Sequence, residues 1–341
     1  MTGLIKGIII YFVYIFLLAN IAIFLTIKFY PEKALGNATE YEMWQFQKKA
    51  IDNYDNQTKN VIIGDSRSMA CLNPKILGHN FVNLSLGGTS SFEGFCTLKK
   101  FLEKSKIDTL IVCYGAYHFS GGEVFNERTL PFQFTSMDNV RNLERVEEKY
   151  GVTVEGRRPG TLRNVYRTLL YYHAPSVFRS SFIENITQNN FNSHIINSMK
   201  ENSGHCLFGR ADSSAEASEE IALIGLTIKE KILKINPVII SYLDSMYVLS
   251  MKHNIKLIFV NPPINYSSYE KLKSIHFEDQ YDDLLDDLKR RFPRMQVYNN
   301  YFSLPDSYFG DANHLNLKGS DFFSVYVRSK VADSKHCRGT R

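Results

Sequence analysis

The sequence predicts an α/β protein: a doubly wound, mostly parallel five-stranded sheet with a helical insertion and an N-terminal transmembrane helix. Three observations predict it. Short runs rich in β-branched and aromatic residues end abruptly in small residues, at Gly64-Asp65-Ser66, Gly87-Gly88 and Gly115. A helix-spaced apolar set, Phe92, Phe95, Leu98, Phe101 and Leu102, separates the second of these runs from the third. A stretch without charge, from Gly7 to Ile27, precedes them all.

That stretch includes the continuously apolar run Ile8-Ile9-Ile10-Tyr11-Phe12-Val13-Tyr14-Ile15-Phe16-Leu17-Leu18. About 20 such residues, at ~1.5 Å each, cross the hydrocarbon core of a bilayer. Hydrophobicity on every face at this length argues against a buried globular helix. Ala34-Leu35-Gly36 and Gly36-Asn37-Ala38 resemble cleavage sites. A signal peptide's apolar region is shorter, at ~7–15 residues, so an uncleaved anchor over residues 1–29 is expected. Lys6 on one side and Lys28 and Lys33 on the other leave the positive-inside rule without a direction. The layout of short tail, single span and large C-terminal domain predicts that the domain lies outside the cytoplasm. Asn20 is expected to be tolerated near the outer end of the span. Residues 30–59 form a juxtamembrane arm, amphipathic between Tyr41 and Tyr54. It carries the only tryptophan, Trp44, set either at the membrane interface or against the domain.

The domain proper spans residues 60–331. Its first strand, Val61-Ile62-Ile63, runs into Gly64-Asp65-Ser66, and residues 67–78 then begin a helix broken at Pro74. The second strand, Phe81 to Ser85, ends at Leu86-Gly87-Gly88-Thr89-Ser90. Two glycines at a strand end free backbone N–H groups for close approach to a ligand. Ser90 or Ser91 is placed to cap the helix that follows. The third strand, Thr109 to Tyr114, leads into Gly115-Ala116-Tyr117-His118.

An insertion of about residues 120–235 interrupts this rhythm. It carries a basic segment with Arg141, Arg145, Lys149, Arg157, Arg158, Arg163 and Arg167. A solvated helical face is the simpler reading of it, and a lid or docking surface for an anionic glycan the sharper one. Ser213 to Glu220 reads as a loop or helix start. The α/β rhythm resumes with a helix from Pro237 to Met251 and a strand from Ile255 to Val260 ending in Asn261-Pro262-Pro263. One long charged helix from Tyr269 to Arg291, a fifth strand from Met295 to Tyr298 and a closing helix from Ser320 to Val331 complete it. Residues 332–341 read as a flexible tail.

Composition sets outer bounds. The chain has 341 residues, of which 44% are hydrophobic, and a net charge of +5, which permits an anionic partner without demanding one. No nucleic-acid partner is expected. Cys71, Cys96, Cys113, Cys206 and Cys337 are scattered, with neither zinc-type pairs nor a disulfide framework. Cys96 and Cys113 are expected to be buried as small hydrophobes. A single disulfide stays open for a domain outside the cytosol, and no metal or cofactor is expected.

The candidate chemistry centres on Ser66. A serine hydroxyl is a poor nucleophile at neutral pH and needs a base within hydrogen-bond reach, itself held by an orienter. Asp311 and His314 are three residues apart in Gly310-Asp311-Ala312-Asn313-His314-Leu315-Asn316. One turn at that spacing lets the carboxylate meet one ring nitrogen and leaves the other for the serine proton. Taken singly, each has a structural reading: Gly-Asp-Ser is ordinary turn chemistry, Asp311 a helix N-terminal carboxylate, His314 a half-buried histidine. Arg67 is expected to pack against an acidic neighbour or point to solvent rather than bind an anion.

Together, Gly64-Asp65-Ser66, Asn83 with Gly88 five residues on, and Asp311-Ala312-Asn313-His314-Leu315-Asn316 with Gly319 resemble the SGNH/GDSL hydrolase superfamily, over about residues 60–330. The resemblance implies an SGNH-like, flavodoxin-like sheet, with Ser66 as nucleophile, His314 as base and Asp311 as its orienter. The N–H groups of Ser66 and Gly88, with Gly87 alongside, would receive the oxyanion. The family's third block departs, because Gly115 is followed by Ala116 and Tyr117 where the family places an oxyanion asparagine. The side-chain donor would then come from Tyr117, His118 or Asn83, or be lost, and losing one donor typically costs ~10²–10³ in rate.

The layout is also similar to that of membrane-anchored members that help O-acylate cell-surface polymers, in alginate acetylation and in the D-alanylation of teichoic acid. It implies acyl transfer or ester hydrolysis on a cell-surface polysaccharide through an acyl-serine, with O-acyl transfer favoured. It also implies a bacterial periplasmic or cell-surface setting, membrane lipid around the N-terminal helix, and a separate multi-span membrane acyltransferase as partner. The alternative is a catalytically weak or inactive scaffold that binds glycan or such an acyltransferase.

Overall fold

The computed structural model describes residues 2–30, 38–78, 80–122, 124–160, 162–173, 193–208, 233–298 and 302–336. Helix α1 (Thr2–Phe29) comes first. Its span Gly3–Thr26 has a mean hydropathy of 2.7 and none of it is buried, so it is long and apolar enough to cross a membrane. Asn20 donates its amide to the Phe16 carbonyl at 2.7 Å and is satisfied within its own helix. Helix α2 (Ala38–Asn53) follows, and of the two settings open to Trp44 the structure takes the domain. The indole is 2% exposed and meets Phe132 and Phe134 edge-on.

The strands are β1 (Thr58–Gly64), β2 (Phe81–Asn83), β3 (Lys106–Cys113), β4 (Lys256–Val260), β5 (Ile264–Asn265), β6 (Gln296–Tyr298) and β7 (Ser303–Leu304). Five of them form one parallel sheet in the order β2-β1-β3-β4-β6, and β5 pairs with β7 separately. A parallel sheet is covered on both faces, so its strands read as unbroken apolar runs, and here the two-residue period sorts them. Val61, Ile63, Leu110, Val112, Leu257 and Phe259 enter one core, while Ile62, Ile111, Cys113, Ile258 and Val260 enter the other.

The helices after α2 are α3 (Ser66–Cys71), α4 (Pro74–Leu77), α5 (Ser91–Leu102), α6 (Met137–Tyr150), α7 (Arg163–His173), α8 (Ser193–Glu201), α9 (Pro237–Lys252), α10 (Tyr266–Ser274), α11 (Phe277–Arg291) and α12 (Leu317–His336). Leu98 and Phe101 of α5, Leu243 and Met246 of α9, and Leu284 and Leu288 of α11 fill the first core. Phe323 and Val327 of α12 close the second, against Cys71, Leu72 and Leu77. Each such buried side chain is worth about 1.5–3 kcal/mol. Ser90 is the cap of α5: its N–H and hydroxyl both donate to Glu93 Oε2, at 2.9 and 2.7 Å.

The chain passes from β1 to β2 on one side and to β3 on the other. The strand order therefore reverses between β1 and β3, and the crevice beyond their C-terminal ends is where open α/β sheets place ligands. Ser66 begins α3 at that edge. Gly64 allows the crowding there, because a Cβ on it would lie 2.1 Å from the Cys113 carbonyl oxygen and 2.5 Å from Ser68 Cβ.

Several expectations are corrected. The predicted helix from Tyr269 to Arg291 is two helices, α10 and α11, because His276 adopts a left-handed φ of 56° between them. The break expected at Pro74 is present: α3 ends at Cys71, and Pro74 is the first residue of α4, capped by Asn73, which accepts from Lys75 N–H. Residues 332–336, predicted as tail, continue α12, and residues 337–341 lie outside the described residues. The basic segment is not one solvated face. Arg167 is 1% exposed and grips the fully buried Glu147 with both Nη atoms, and Arg163 adds a third contact at 3.6 Å. Ser213 to Glu220 lies outside the described residues.

Candidate active site

Asp65 builds the turn that presents Ser66. Its Oδ1 accepts the N–H groups of Arg67 and Ser68 at 3.0 and 3.1 Å, so it caps α3 and fixes Ser66 as the first helical residue. The loop before α12 arrives from the other end of the chain. It is fastened by a Phe309–Leu315 bridge, by Gly310 N–H on the His314 carbonyl at 2.9 Å, and by the Asn316 amide on the Ser307 carbonyl at 2.9 Å. Within it, Asp311 Oδ1 accepts the N–H groups of Asn313 and His314 at 2.9 and 2.8 Å.

These two supports bring three predicted residues together. Ser66 Oγ lies 2.9 Å from His314 Nε2, and His314 Nδ1 lies 2.9 Å from each carboxylate oxygen of Asp311. An ionised carboxylate only accepts, so Nδ1 carries the proton and Nε2 is left as acceptor for the Ser66 O–H. Burial pushes the Asp311 carboxyl up, but the hydrogen bond and charge of His314 and the two backbone donors outweigh it and hold it below its ordinary value. Phe208 lies against the imidazole, with ring centroids 4.6 Å apart.

Behind the serine is a buried charged cluster. Asp65 is 1% exposed, and its Oδ2 lies 2.5 Å from His118 Nε2. Burial pushes the Asp65 carboxyl up, but His118 and then Arg67 outweigh it, and the group is brought down to about 2. The Arg67 guanidinium is turned inward, its Nη1 3.2 Å from where a Cβ on Gly115 would sit. It therefore packs beside an acidic neighbour, in the crowded space between the ends of β1 and β3.

The remaining predicted residues divide. A Cβ on Gly87 would lie 3.6 Å from Ser66 Cβ, so Gly87 is the glycine alongside the serine. Gly88 has a φ of 74°, and a Cβ there would lie 2.5 Å from Val124 Cγ1, so the loop requires glycine at this position. Asn83 is corrected as an oxyanion donor. It is fully buried, its amide hydrogens go to the Ser68 and Leu72 carbonyls at 3.1 and 3.0 Å, and its Oδ1 accepts Ser85 N–H at 3.0 Å. Nothing of that amide is left for a substrate. Tyr117 is half-buried against the core and edge-on to His118. His118, the other donor considered, faces Asp65 with Nε2.

Sequence reasoning missed three contributors. Phe208 comes from the insertion and has no signal in its surroundings. Arg128 donates to the Gly87 carbonyl at 3.3 Å and pairs with Glu40 of α2 at 2.7 Å. Burial raises the Glu40 carboxyl and Arg128 opposes that shift. The Asp65–His118 pair had one legible cue, since an aspartate at a buried strand end requires a partner.

Cys71, Cys96, Cys113 and Cys206 are free and buried, and burial pushes the thiols of Cys96 and Cys206 up to about 12, so neither is a thiolate at neutral pH. Among the described residues, no group of three His, Cys, Asp or Glu side chains is placed to hold a metal ion. No protein-family model and no curated protein matches the chain.

Proposed function

We propose that the chain is a membrane-anchored SGNH-type serine enzyme that moves an acyl group on a cell-surface glycan, with its catalytic domain outside the cytoplasm. The hydrogen-bonded series Ser66–His314–Asp311 carries this reading. Ser66 Oγ attacks the carbonyl carbon of an acyl ester while His314 Nε2 takes the hydroxyl proton. The N–H groups of Ser66 and of the Gly87–Gly88 loop receive the oxyanion. As the carbonyl reforms, the bond to the leaving oxygen breaks and His314 returns the proton to it, leaving an acyl-serine. A sugar hydroxyl, or water, then gives its proton to His314 and attacks the acyl carbon, and as the bond to Ser66 Oγ breaks His314 returns that proton to the serine oxygen.

A second reading, a scaffold of weak or no activity that binds glycan or a membrane acyltransferase, draws support from the third block. Tyr117 stands where the family keeps its asparagine, and the Asn83 amide is already committed.

A fluorophosphonate probe applied to the full chain decides between the two. Labelling that disappears in Ser66→Ala and falls in His314→Gln is expected for the enzyme. Folded protein that stays unlabelled overturns any acyl-serine mechanism. Incubation with an acyl-ester donor and a glycan acceptor then separates the outcomes of acylation, and free acid as the only product would sink the transferase version.

A further inference from the structure

Helix α7 is amphipathic in the reverse sense. Arg163 and Arg167 face inward to Glu147, and the Arg167 guanidinium lies 4.7 Å from the centre of the Phe125 ring. On the outside, Leu162, just before the helix, and Val165, Tyr166 and Leu169 are 73%, 59%, 54% and 51% exposed. Their spacing of i, i+3, i+4 and i+7 sets all four on one stripe. Apart from α1, no described helix exposes four large apolar residues at such spacing. A contiguous apolar stripe in water marks a surface that something else covers.

Three observations identify the cover. Position is the first. The 124–129 turn is held by Val124 against Gly88, by Arg128 on the Gly87 carbonyl and on Glu40, and by Phe125 beneath Arg167. Helix α7, the glycine loop beside Ser66 and the start of α2 therefore meet on one short turn. The second is chain length. Residues 30 and 38 are eight apart and can be separated by at most about 28 Å, at ~3.5 Å per residue, so a bilayer around α1 stays within reach of that turn. The third is charge. Arg157 and Arg158 are exposed immediately ahead of the stripe, and basic residues flanking an apolar helical face match an anionic lipid surface.

We propose that α7 is an interfacial helix, with Leu162, Val165, Tyr166 and Leu169 seated among the headgroups of a bilayer that contains anionic lipid. The proposal rests on reading α1 as a membrane span and is independent of the chemistry at Ser66. It sets the Gly87–Ser66 crevice close to the lipid surface rather than facing bulk solvent.

The test uses the full chain in vesicles of phosphatidylcholine and phosphatidylglycerol, with and without brominated phosphatidylcholine. Tyr166→Trp adds a reporter on the stripe, and Thr168→Trp adds one at an exposed position off it. Trp44, buried in the domain, is the constant background in unsubstituted protein. Bromolipid is expected to quench and the bilayer to blue-shift the emission added at 166, with much smaller changes at 168. Adding Val165→Asp and Leu169→Asp to Tyr166→Trp is expected to abolish the quenching. A chain that floats with the vesicles while emission at 166 stays unquenched overturns the proposal and leaves the stripe to a protein partner. A chain that does not float with them refutes the membrane span and, with it, this proposal.

Discussion

Replacing Asp65 by Asn removes a buried charge while keeping a side chain that can still cap α3. The carboxyl is brought from its ordinary 3.8 down to about 2 in the folded protein. At 1.36 kcal/mol per unit, that difference corresponds to about 2 kcal/mol of stability. The sign follows from the direction. A depressed carboxyl contributes in full above its unfolded value, and the contribution is lost as pH falls through the folded value. The whole of it is therefore present at pH 7, and it fades only near pH 2 to 4. The amide of Asp65→Asn stands in for the neutral carboxyl, so the substitution is expected to cost about 2 kcal/mol at pH 7. Asp65→Ala also loses the cap and adds about 1 kcal/mol. Urea unfolding of the three proteins in detergent, followed by circular dichroism at several pH values, measures both steps. The expected order is native, then Asn, then Ala, with the gap between native and Asn closing as pH falls from about 4 toward 2. Equal midpoints for native and Asp65→Asn would refute a net stabilising Asp65–His118–Arg67 cluster, and equal midpoints for Asn and Ala would refute the cap.

Two further outcomes are expected. His205 is buried, with Nε2 near the Ser320 hydroxyl and the Ala70 carbonyl, and burial brings it from 6.5 down to about 4. Its unfolded form binds a proton first, so stability falls as pH drops through 6.5 toward 4, with about 2 kcal/mol lost by pH 5, and His205→Gln should flatten that part of the stability–pH curve. Gly88→Ala places a Cβ 2.5 Å from Val124 Cγ1 at a φ of 74° and should cost at least ~1–2 kcal/mol, read as a lowered melting temperature. Adding Val124→Ala should relieve the clash and leave the backbone cost.

How much was legible in the sequence follows the range of the interactions. Val61 to Gly64, Thr109 to Cys113 and Leu257 to Val260 are locally specified, by runs of apolar residues stopped by small ones, and they are strands of the central sheet. The Asp311–His314 spacing was also local, because one turn brings the carboxylate to the ring nitrogen. The fate of Asn83 was not, since it depends on the Ser68 and Leu72 carbonyls that the fold brings against it. The orientation of α7 could not be read either. A helix with arginines on one side and leucines on the other is normally placed arginines outward. Only Glu147, fully buried on α6, reverses that preference. The break at His276 rests on a left-handed residue without Gly or Pro to announce it.

The proposed nucleophile and base are 248 residues apart in the chain. Synthesis runs from the N-terminus at ~5–20 residues per second, so roughly 12 to 50 s separate the appearance of Ser66 from that of His314. Through that interval the serine is an ordinary hydroxyl with no acceptor for its proton. The contact that would activate it closes only when the 309–315 loop docks against the end of β1, which requires α12 to settle on the finished sheet. On the proposed mechanism, reactivity at Ser66 is thus deferred by topology to the end of folding, and a chain truncated before residue 314 is expected to keep the Gly-Asp-Ser turn without labelling by a serine probe.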